Sequence, residues 1–267
     1  MLKRLLMILA LFAVAAHAKD NQIDVNTWHL AVGVGLGKAS NPLHGGDDIP
    51  LVVLPDIAYY GERFYFDNGQ VGYSLSQDSH YSLSLISELN PEKRFFVFWH
   101  PSNFFLPMAL NSETKIAESV TVNQVKKRRW ALDAGLEYQY FSDNFTLKLN
   151  WLFDISGVYN DDRAAIEFEG QSQFGSIIIS PAIGLHYQSQ GLNQYYYGVE
   201  QQSLFYDGYR SGSSLSPYFK LQLTWPLTQS SALFIKTSYD DYSSLRRSPL
   251  FKENAAMSFF VGMKYIF

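Results

Sequence analysis

The chain has 267 residues, with 21 Lys and Arg against 25 Asp and Glu, and it contains no cysteine. Without thiols it has neither a disulfide framework nor a thiolate metal site, and its mild acidity offers no basic surface of the kind that binds nucleic acid. No run of 18 apolar residues occurs in it, so the sequence predicts no membrane-spanning helix. Aromatic residues nevertheless make up 16%, a share that favours an outer-membrane β-barrel with aromatic rims over a soluble periplasmic β protein.

The amino-terminal stretch has the pattern of a secretory signal peptide. A basic start, Met1 to Arg4, precedes an apolar run from Leu5 to Ala16, and Ala16-His17-Ala18 is a small-x-small cleavage site. A membrane anchor is the alternative, but about a dozen apolar residues are too few to span a bilayer. We therefore predict a signal peptide at 1–18 and a mature domain at 19–267, with 19 basic and 25 acidic side chains and a formal charge of −6.

Alternating apolar residues predict five strands in the first part of the mature chain. They begin near residues 28, 51, 63, 70 and 80, and Asp67-Asn68-Gly69 is a strong hairpin signal between the third and the fourth. In the first strand, Trp28 to Leu36, large apolar side chains alternate with small ones, as in a barrel wall. Its Gly33-Val34-Gly35 lacks the third glycine and the following helix of a nucleotide-binding loop. The segment 89–128 has no clear period and holds either a folded loop or an extra hairpin.

The alternation is clearest in two strands of about ten residues, Trp130 to Tyr140 and Phe145 to Phe153, a length that crosses a bilayer at a tilt. Their polar positions include Asp133, Glu137 and Lys148. A dry protein core would exclude these charges, so we predict that the three side chains face a wet lumen. The two strands therefore favour a membrane barrel over a soluble one.

After a polar loop from Gly157 to Gly170, the sequence predicts five more strands, which begin near residues 174, 194, 216, 232 and 256. A turn at Gly191-Leu192-Asn193 is predicted before a strand at Tyr195 to Val199. The last strand ends the chain and carries apolar side chains on one face: Phe259, Val261, Met263, Tyr265 and Phe267. A closing strand with a terminal aromatic residue is typical of outer-membrane barrels, whose assembly machinery recognises it.

These assignments give about twelve strands, with ten or fourteen as alternatives if one hairpin is misread. With both termini in the periplasm, the turns at 61, 77, 142, 191 and 228 are periplasmic and short. The long connections then lie outside the cell, at 38–50, 89–128, 157–172, 200–215 and 240–255. Transmembrane barrels have this asymmetry of short periplasmic turns and long extracellular loops. We therefore predict an all-β protein that forms a transmembrane antiparallel β-barrel in the outer membrane.

Several short motifs resemble those of one family of outer-membrane proteins. They follow one another along the chain: Pro50 to Gly61 with Arg63-Phe64-Tyr65-Phe66, Gln70-Val71-Gly72-Tyr73, Tyr196-Tyr197-Gly198-Val199, Ser248-Pro249-Leu250 and the terminal Tyr265-Ile266-Phe267. Together with the signal peptide, they are similar to the MipA/OmpV family over nearly all of the mature chain. The resemblance implies an outer-membrane barrel and a non-enzymatic scaffold that links a murein hydrolase, a lytic transglycosylase, to a murein-synthesising penicillin-binding protein. The alternative implied by other members is a porin-like channel or a surface adhesin, which passes or binds small solutes or host surfaces.

No catalytic motif is recognisable. His29 and His186 fall on the inward faces of predicted strands, where polar lumen residues are expected, and neither accompanies a nucleophile. The acid pairs Asp47-Asp48 and Asp161-Asp162 have oxygen ligands for a divalent cation, but paired acids on loops more often remain solvated. We therefore predict neither an enzyme nor a cofactor.

Two groups of basic residues lie in predicted outer loops: Lys126, Lys127, Arg128 and Arg129 in one, and Arg246 and Arg247 in the other. The outer leaflet consists of lipopolysaccharide, which is rich in phosphate, and Arg donates forked hydrogen bonds to phosphate. We predict that these six side chains contact lipopolysaccharide headgroups. The alternative is a basic loop that remains solvated.

Overall fold

The computed structural model describes residues 26–97, 120–200 and 208–267. The predicted signal peptide at 1–18 lies outside the described residues, as does the middle of the segment 89–128. No helix in the three described ranges is long and apolar enough to span a membrane. The described chain forms these strands: β1 (Thr27–Ala39), β2 (Ile49–Tyr60), β3 (Phe64–Asp67), β4 (Gln70–Gln77), β5 (Tyr81–Leu89), β6 (Leu132–Phe141), β7 (Phe145–Asp154), β8 (Asp162–Gly170), β9 (Ser172–Phe174), β10 (Ile177–Gln188), β11 (Ser214–Pro226), β12 (Ser231–Asp241) and β13 (Ala255–Ile266).

The strands form one closed antiparallel sheet. The ring closes where β1 pairs with β13, from Ala31 opposite Ile266 to Ala39 opposite Ser258. Both β8 and β9 pair with β10, so they occupy a single wall position that is interrupted at Gln171. The thirteen strands thus fill twelve wall positions in the described chain. This arrangement confirms the predicted transmembrane barrel class and the predicted number of strands.

The side chains on the outer face of the wall are apolar, and those on its inner face are polar or small. The five predicted side chains of the closing strand, Phe259, Val261, Met263, Tyr265 and Phe267, are all exposed on the outer face. Phe260 lies between the first two of them and is only 1% exposed, because it points into the barrel. An outer face with this many apolar side chains is suited to contact with lipid tails rather than with water, because lipid tails, like these side chains, form no hydrogen bonds.

Glycines on the inner face of β1 make room for aromatic rings that pack against the inside of the wall. A Cβ added to Gly33 would lie 2.7 Å from the ring of Phe234, and one added to Gly37 would lie 2.9 Å from the ring of Phe260. These two rings stack at a centroid distance of 5.2 Å. The glycines of this strand therefore serve close packing inside the wall.

The connections at the two ends of the barrel differ in length. One end has short turns at 61–63, 78–80, 142–144, 175–176 and 227–230. The other end has longer connections at 40–48, 90–131, 155–161, 189–213 and 242–254, and one short turn at Asn68-Gly69. Because outer-membrane barrels keep their short turns in the periplasm, the end with the long loops is the outer mouth.

Three predicted elements are wrong, namely a loop, a turn and a strand, and the errors in the loop and the strand cancel in the strand count. Residues 162–170 form β8 and not a loop, because a wet lumen accepts the charges on the inner face of this strand. The predicted turn at Gly191 to Asn193 and the first three residues of the predicted strand at Tyr195 to Val199 belong instead to helix α1 (Gln190–Tyr197), which lies in an outer loop. As a consequence, the periplasmic turn falls at 175–176, and β10 runs in the direction opposite to the predicted one.

Candidate functional site

The outer loops fold into the barrel mouth as a hydrophobic plug. Their buried side chains form one cluster, and we call its members the plug: Leu43, Phe95, Phe96, Val120, Val122, Ala131, Val158, Tyr159, Leu192, Tyr196, Tyr197, Val199, Tyr242, Leu245, Leu250, Phe251 and Ala256. Every long connection contributes to it, including a 3₁₀ turn at Pro91–Phe96. The largest apolar core of the described chain therefore fills the outer mouth and does not lie between two sheets.

Helix α1 supplies the centre of the plug. Ser189 caps its amino terminus and accepts a hydrogen bond from the Leu192 backbone N–H at 3.4 Å. The buried residues Leu192, Asn193, Tyr196 and Tyr197 are spaced so that they share one helix face. Burial of this face favours a helix here, and it outweighs the β propensity of three consecutive tyrosines.

Glu92 is the buried acid at the centre of the plug. It is 5% exposed and accepts a hydrogen bond from the Tyr197 hydroxyl, and the Tyr242 hydroxyl lies 3.3 Å from both of its carboxylate oxygens. Burial raises the pKa of this carboxyl above its usual value of 4.5, because the charged form loses its water. The cluster joins the 3₁₀ turn, helix α1 and the loop after β12.

The raised pKa makes the stability of the plug depend on pH. The folded protein holds the Glu92 proton more tightly than the unfolded chain does, so this contribution is complete below pH 4.5 and is lost as the pH rises through the folded pKa. We expect the thermal midpoint, followed by gel mobility of the folded band in detergent, to fall over this interval. The Glu92→Gln variant should lose that part of the fall. A variant whose midpoint follows pH as the wild type does would contradict this assignment.

A buried charge network fastens the plug to the outer end of the wall. Asp133 is fully buried, and its carboxylate accepts hydrogen bonds from Arg163 Nε at 2.5 Å, Asn90 Nδ2 at 2.9 Å and the Tyr159 hydroxyl at 2.8 Å. Arg163 Nη2 also donates to Glu88 Oε1 at 2.6 Å. Three strands and two outer loops are therefore joined in one network around Asp133 and Arg163. The predicted lumen residue Asp133 is thus a structural centre beneath the plug.

A second group of charges lines the periplasmic half of the lumen. Lys148 lies 3.2 Å from Glu169 and 3.8 Å from Glu167, and Lys220 lies 2.7 Å from Glu167. Lys264 pairs with Asp56 at 2.5 Å on the opposite side. Predicted lumen residue Glu137 is 5% exposed and accepts a hydrogen bond from Gln139 at 2.5 Å. The inner wall is therefore charged but largely paired.

The six basic residues predicted to bind lipopolysaccharide differ in exposure and in their partners. Lys126 pairs with Glu200 at 2.8 Å in an exposed position, and Lys127, Arg129, Arg246 and Arg247 are also exposed. Arg128 instead turns inward and donates to the carbonyls of Tyr196 and Gly198 at the end of α1, at 3.4 and 3.0 Å. No described hydrogen bond or ion pair joins the two groups of basic residues.

The histidine and acid candidates have partners within the protein. The His186 ring stacks on Tyr218 at 4.1 Å, and His29 makes a contact with Thr27 at 3.4 Å. Asp161 accepts a hydrogen bond from the Gly191 N–H at 2.8 Å, and Asp162 accepts one from the Trp151 indole at 2.5 Å. In the described ranges, no three His, Asp or Glu side chains gather in a group that could hold a metal ion.

Sequence reasoning missed the residues that organise the plug, namely Glu92, Tyr197, Arg163 and Tyr242. Three of them fall in segments that looked like loops, and Tyr197 fell in a strand that does not exist. The available signal was helical spacing: residues 192 and 196, like 193 and 197, are four apart after a capping serine.

A closed twelve-position barrel, an apolar outer face and a charged inner wall define the class of this molecule as an outer-membrane β-barrel protein. The sequence model of one family, described as MltA-interacting protein MipA, matches residues 32–267. The chain belongs to that family, which confirms the resemblance drawn from its motifs.

Two proteins of Escherichia coli (strain K12) are similar to most of the chain. The putative outer membrane protein YiaT is 23% identical over 264 residues, which are 97% of this chain and 98% of that protein. The MltA-interacting protein is 24% identical over 225 residues, 82% of this chain and 78% of that protein. Among solved structures, an outer membrane channel from Pseudomonas putida F1 matches over 95% of this chain and 100% of the channel chain, with a TM-score of 0.44 and 11% identity. The relatives confirm the predicted location in the outer membrane.

Proposed function

We propose that this protein is a non-enzymatic scaffold of the outer membrane, which holds a lytic transglycosylase close to a penicillin-binding protein. The observation that supports it is the plug: the five long outer connections bury their apolar side chains in the barrel mouth, as suits a closed anchor. One relative is named MltA-interacting protein, which agrees with a lytic transglycosylase as partner.

The partners of this scaffold dock at the periplasmic rim. The exposed residues of this rim lie in the turns at 61–63, 78–80, 142–144 and 227–230. A cleft of about 310 Å³ opens at this rim, lined by amide and charged groups such as Gln139, Asn144, Gln171 and Lys148. A shallow polar rim fits a partner held by hydrogen bonds and charge more than by buried apolar area.

The test is affinity capture from detergent extracts of the native cell envelope. We expect a lytic transglycosylase and a penicillin-binding protein to be captured together with the wild type. Reversing two rim charges, Glu62→Lys with Asp143→Lys, should weaken this capture, because both side chains are exposed beside the docking surface. The same charge change in the outer loops, Asp47→Lys with Glu253→Lys, is the matched control. Capture of neither enzyme, or equal loss in both variants, would contradict the scaffold.

A porin-like channel is the second candidate, and the charged inner wall favours it. The pairs of Lys148, Lys220 and Lys264 with their carboxylates lie along the lumen, as in water-filled barrels. Planar-bilayer conductance separates the two candidates. Discrete open steps of the wild type would favour the channel, and a silent barrel would favour the scaffold.

We also propose that the exposed basic residues of the outer mouth contact lipopolysaccharide. Because Arg128 is engaged with α1, the test changes Lys126, Lys127 and Arg129 together to Gln, and Arg246 and Arg247 in a second variant. We expect heat stability to fall more in lipopolysaccharide-containing vesicles than in phospholipid vesicles, since only the former present dense phosphate. Arg128→Gln is the control, and its heat stability should fall by the same amount in both kinds of vesicle. If the heat stability of the two multiple variants falls equally in both kinds of vesicle, these contacts are ruled out.

A further inference from the structure

A cavity of about 250 Å³ lies directly beneath the plug, between β1, β2, β12 and β13. Its walls are mostly apolar, with Leu51 and Leu54 on one side and the rings of Phe95 and Phe260 on two others. Arg94, Lys236 and Asp240 are its charged residues. The cavity is therefore amphipathic, with an apolar body and a charged side.

The charges of this cavity do not balance. Arg94 lies 3.7 Å from Asp240, so these two largely neutralise each other. Lys236 makes no hydrogen bond or ion pair with any residue that the structure describes. By contrast, the lumen lysines 148, 220 and 264 are all paired with carboxylates. The cavity therefore has one positive charge, that of Lys236, without a paired carboxylate.

Hydroxyl groups stand next to this surplus charge. Ser238 follows Lys236 on the inner face of β12, and its Oγ lies 2.8 Å from that of Ser258 on β13. Both serines line the cavity. An ammonium group, a guanidinium group and two hydroxyls thus surround an apolar space, which is the pattern of a site with a few placed polar groups on apolar walls.

We propose that this cavity binds a small organic carboxylate with an apolar or aromatic body. The carboxylate contacts Lys236, with Arg94 and the serine hydroxyls as further donors, and the body packs between Phe95 and Phe260. The volume is below the roughly 300–1,000 Å³ of sites for drug-sized ligands, so the ligand is of the size of a single aromatic ring. A bare inorganic anion would leave the apolar walls in contact with water, which disfavours it. This proposal is independent of the scaffold, since a closed barrel can hold a ligand.

The probe is benzoate, titrated into the purified full-length protein in detergent and followed by calorimetry. Benzyl alcohol has the same ring without the charge, and chloride has the charge without the ring. We expect benzoate to bind and each control to bind at least about tenfold more weakly, because benzyl alcohol lacks the charge-assisted hydrogen bond and chloride lacks the buried apolar ring. Absence of benzoate binding by the wild type would overturn the proposal.

Two lysine variants and one serine variant test whether benzoate binds in this cavity. Lys236→Gln should weaken benzoate binding by about tenfold or more, whereas Lys220→Gln removes another lumen charge outside the cavity and should change it by less than about twofold. Ser238→Leu fills the cavity without changing any charge and should also abolish binding, and heat-modifiable gel migration verifies that each variant is folded. Equal losses in the two lysine variants would indicate general attraction by the lumen and would overturn the assignment, as would unchanged binding in Ser238→Leu.

Discussion

Replacing Arg163 by Met is expected to lower the free energy of unfolding by about 3–5 kcal/mol, because it leaves buried carboxylates without their partner. The Arg163 side chain is 11% exposed, and it contacts the fully buried Asp133 at 2.5 Å and Glu88 at 2.6 Å. Met has a similar length and retains the packing of the aliphatic stem. The loss therefore measures the uncompensated charge and not a cavity.

Urea unfolding in phospholipid vesicles, followed by tryptophan fluorescence, provides the measurement. Adding Asp133→Asn and Glu88→Gln to Arg163→Met should recover much of the loss, since neutral groups are cheaper to bury than unpaired charges. Lys126→Gln breaks an exposed ion pair and should have no measurable effect. A loss for Arg163→Met that the added neutral residues do not reduce would show that charge is not its cause.

The barrel was predictable from the sequence because its outer face obeys a strict pattern. Lipid accepts only apolar side chains, so every second residue of β6, β7 and β13 is apolar, and this alternation is visible without any structure. The inner face obeys no such rule. In β8 it carries Arg163, Glu167 and Glu169, and these charges made a wall strand look like a polar loop.

The plug was not predictable because it depends on contacts between distant segments. Tyr197 follows two other tyrosines, and a local reading of β propensity favours a strand there. Its buried partners come from other connections: Glu92 from the 3₁₀ turn and Tyr242 from the loop after β12. Tertiary burial of one helix face overrides local propensity at such a site, and no spacing along the chain shows which loops will meet.

The central position of Tyr197 leads to the other large expected effect. Its ring is fully buried and packs against Phe251 at 4.9 Å, Phe96 at 6.2 Å and Tyr242 at 6.2 Å. Tyr197→Ala removes these contacts and one donor to Glu92, and the cost expected for truncating a buried aromatic residue is about 3–5 kcal/mol. We expect that this loss opens the plug before it unfolds the wall, because the strands keep their own hydrogen bonds.

Single-channel recording in planar bilayers tests this expectation. The wild type should be closed nearly all the time, and Tyr197→Ala should show frequent open steps. Tyr197→Phe retains the ring and loses only the hydroxyl, so it should open much less often, and Tyr239→Ala removes an exposed tyrosine of the outer wall and should behave as the wild type does. If Tyr197→Ala is as silent as the wild type while it remains folded, the plug around helix α1 is not what closes the barrel.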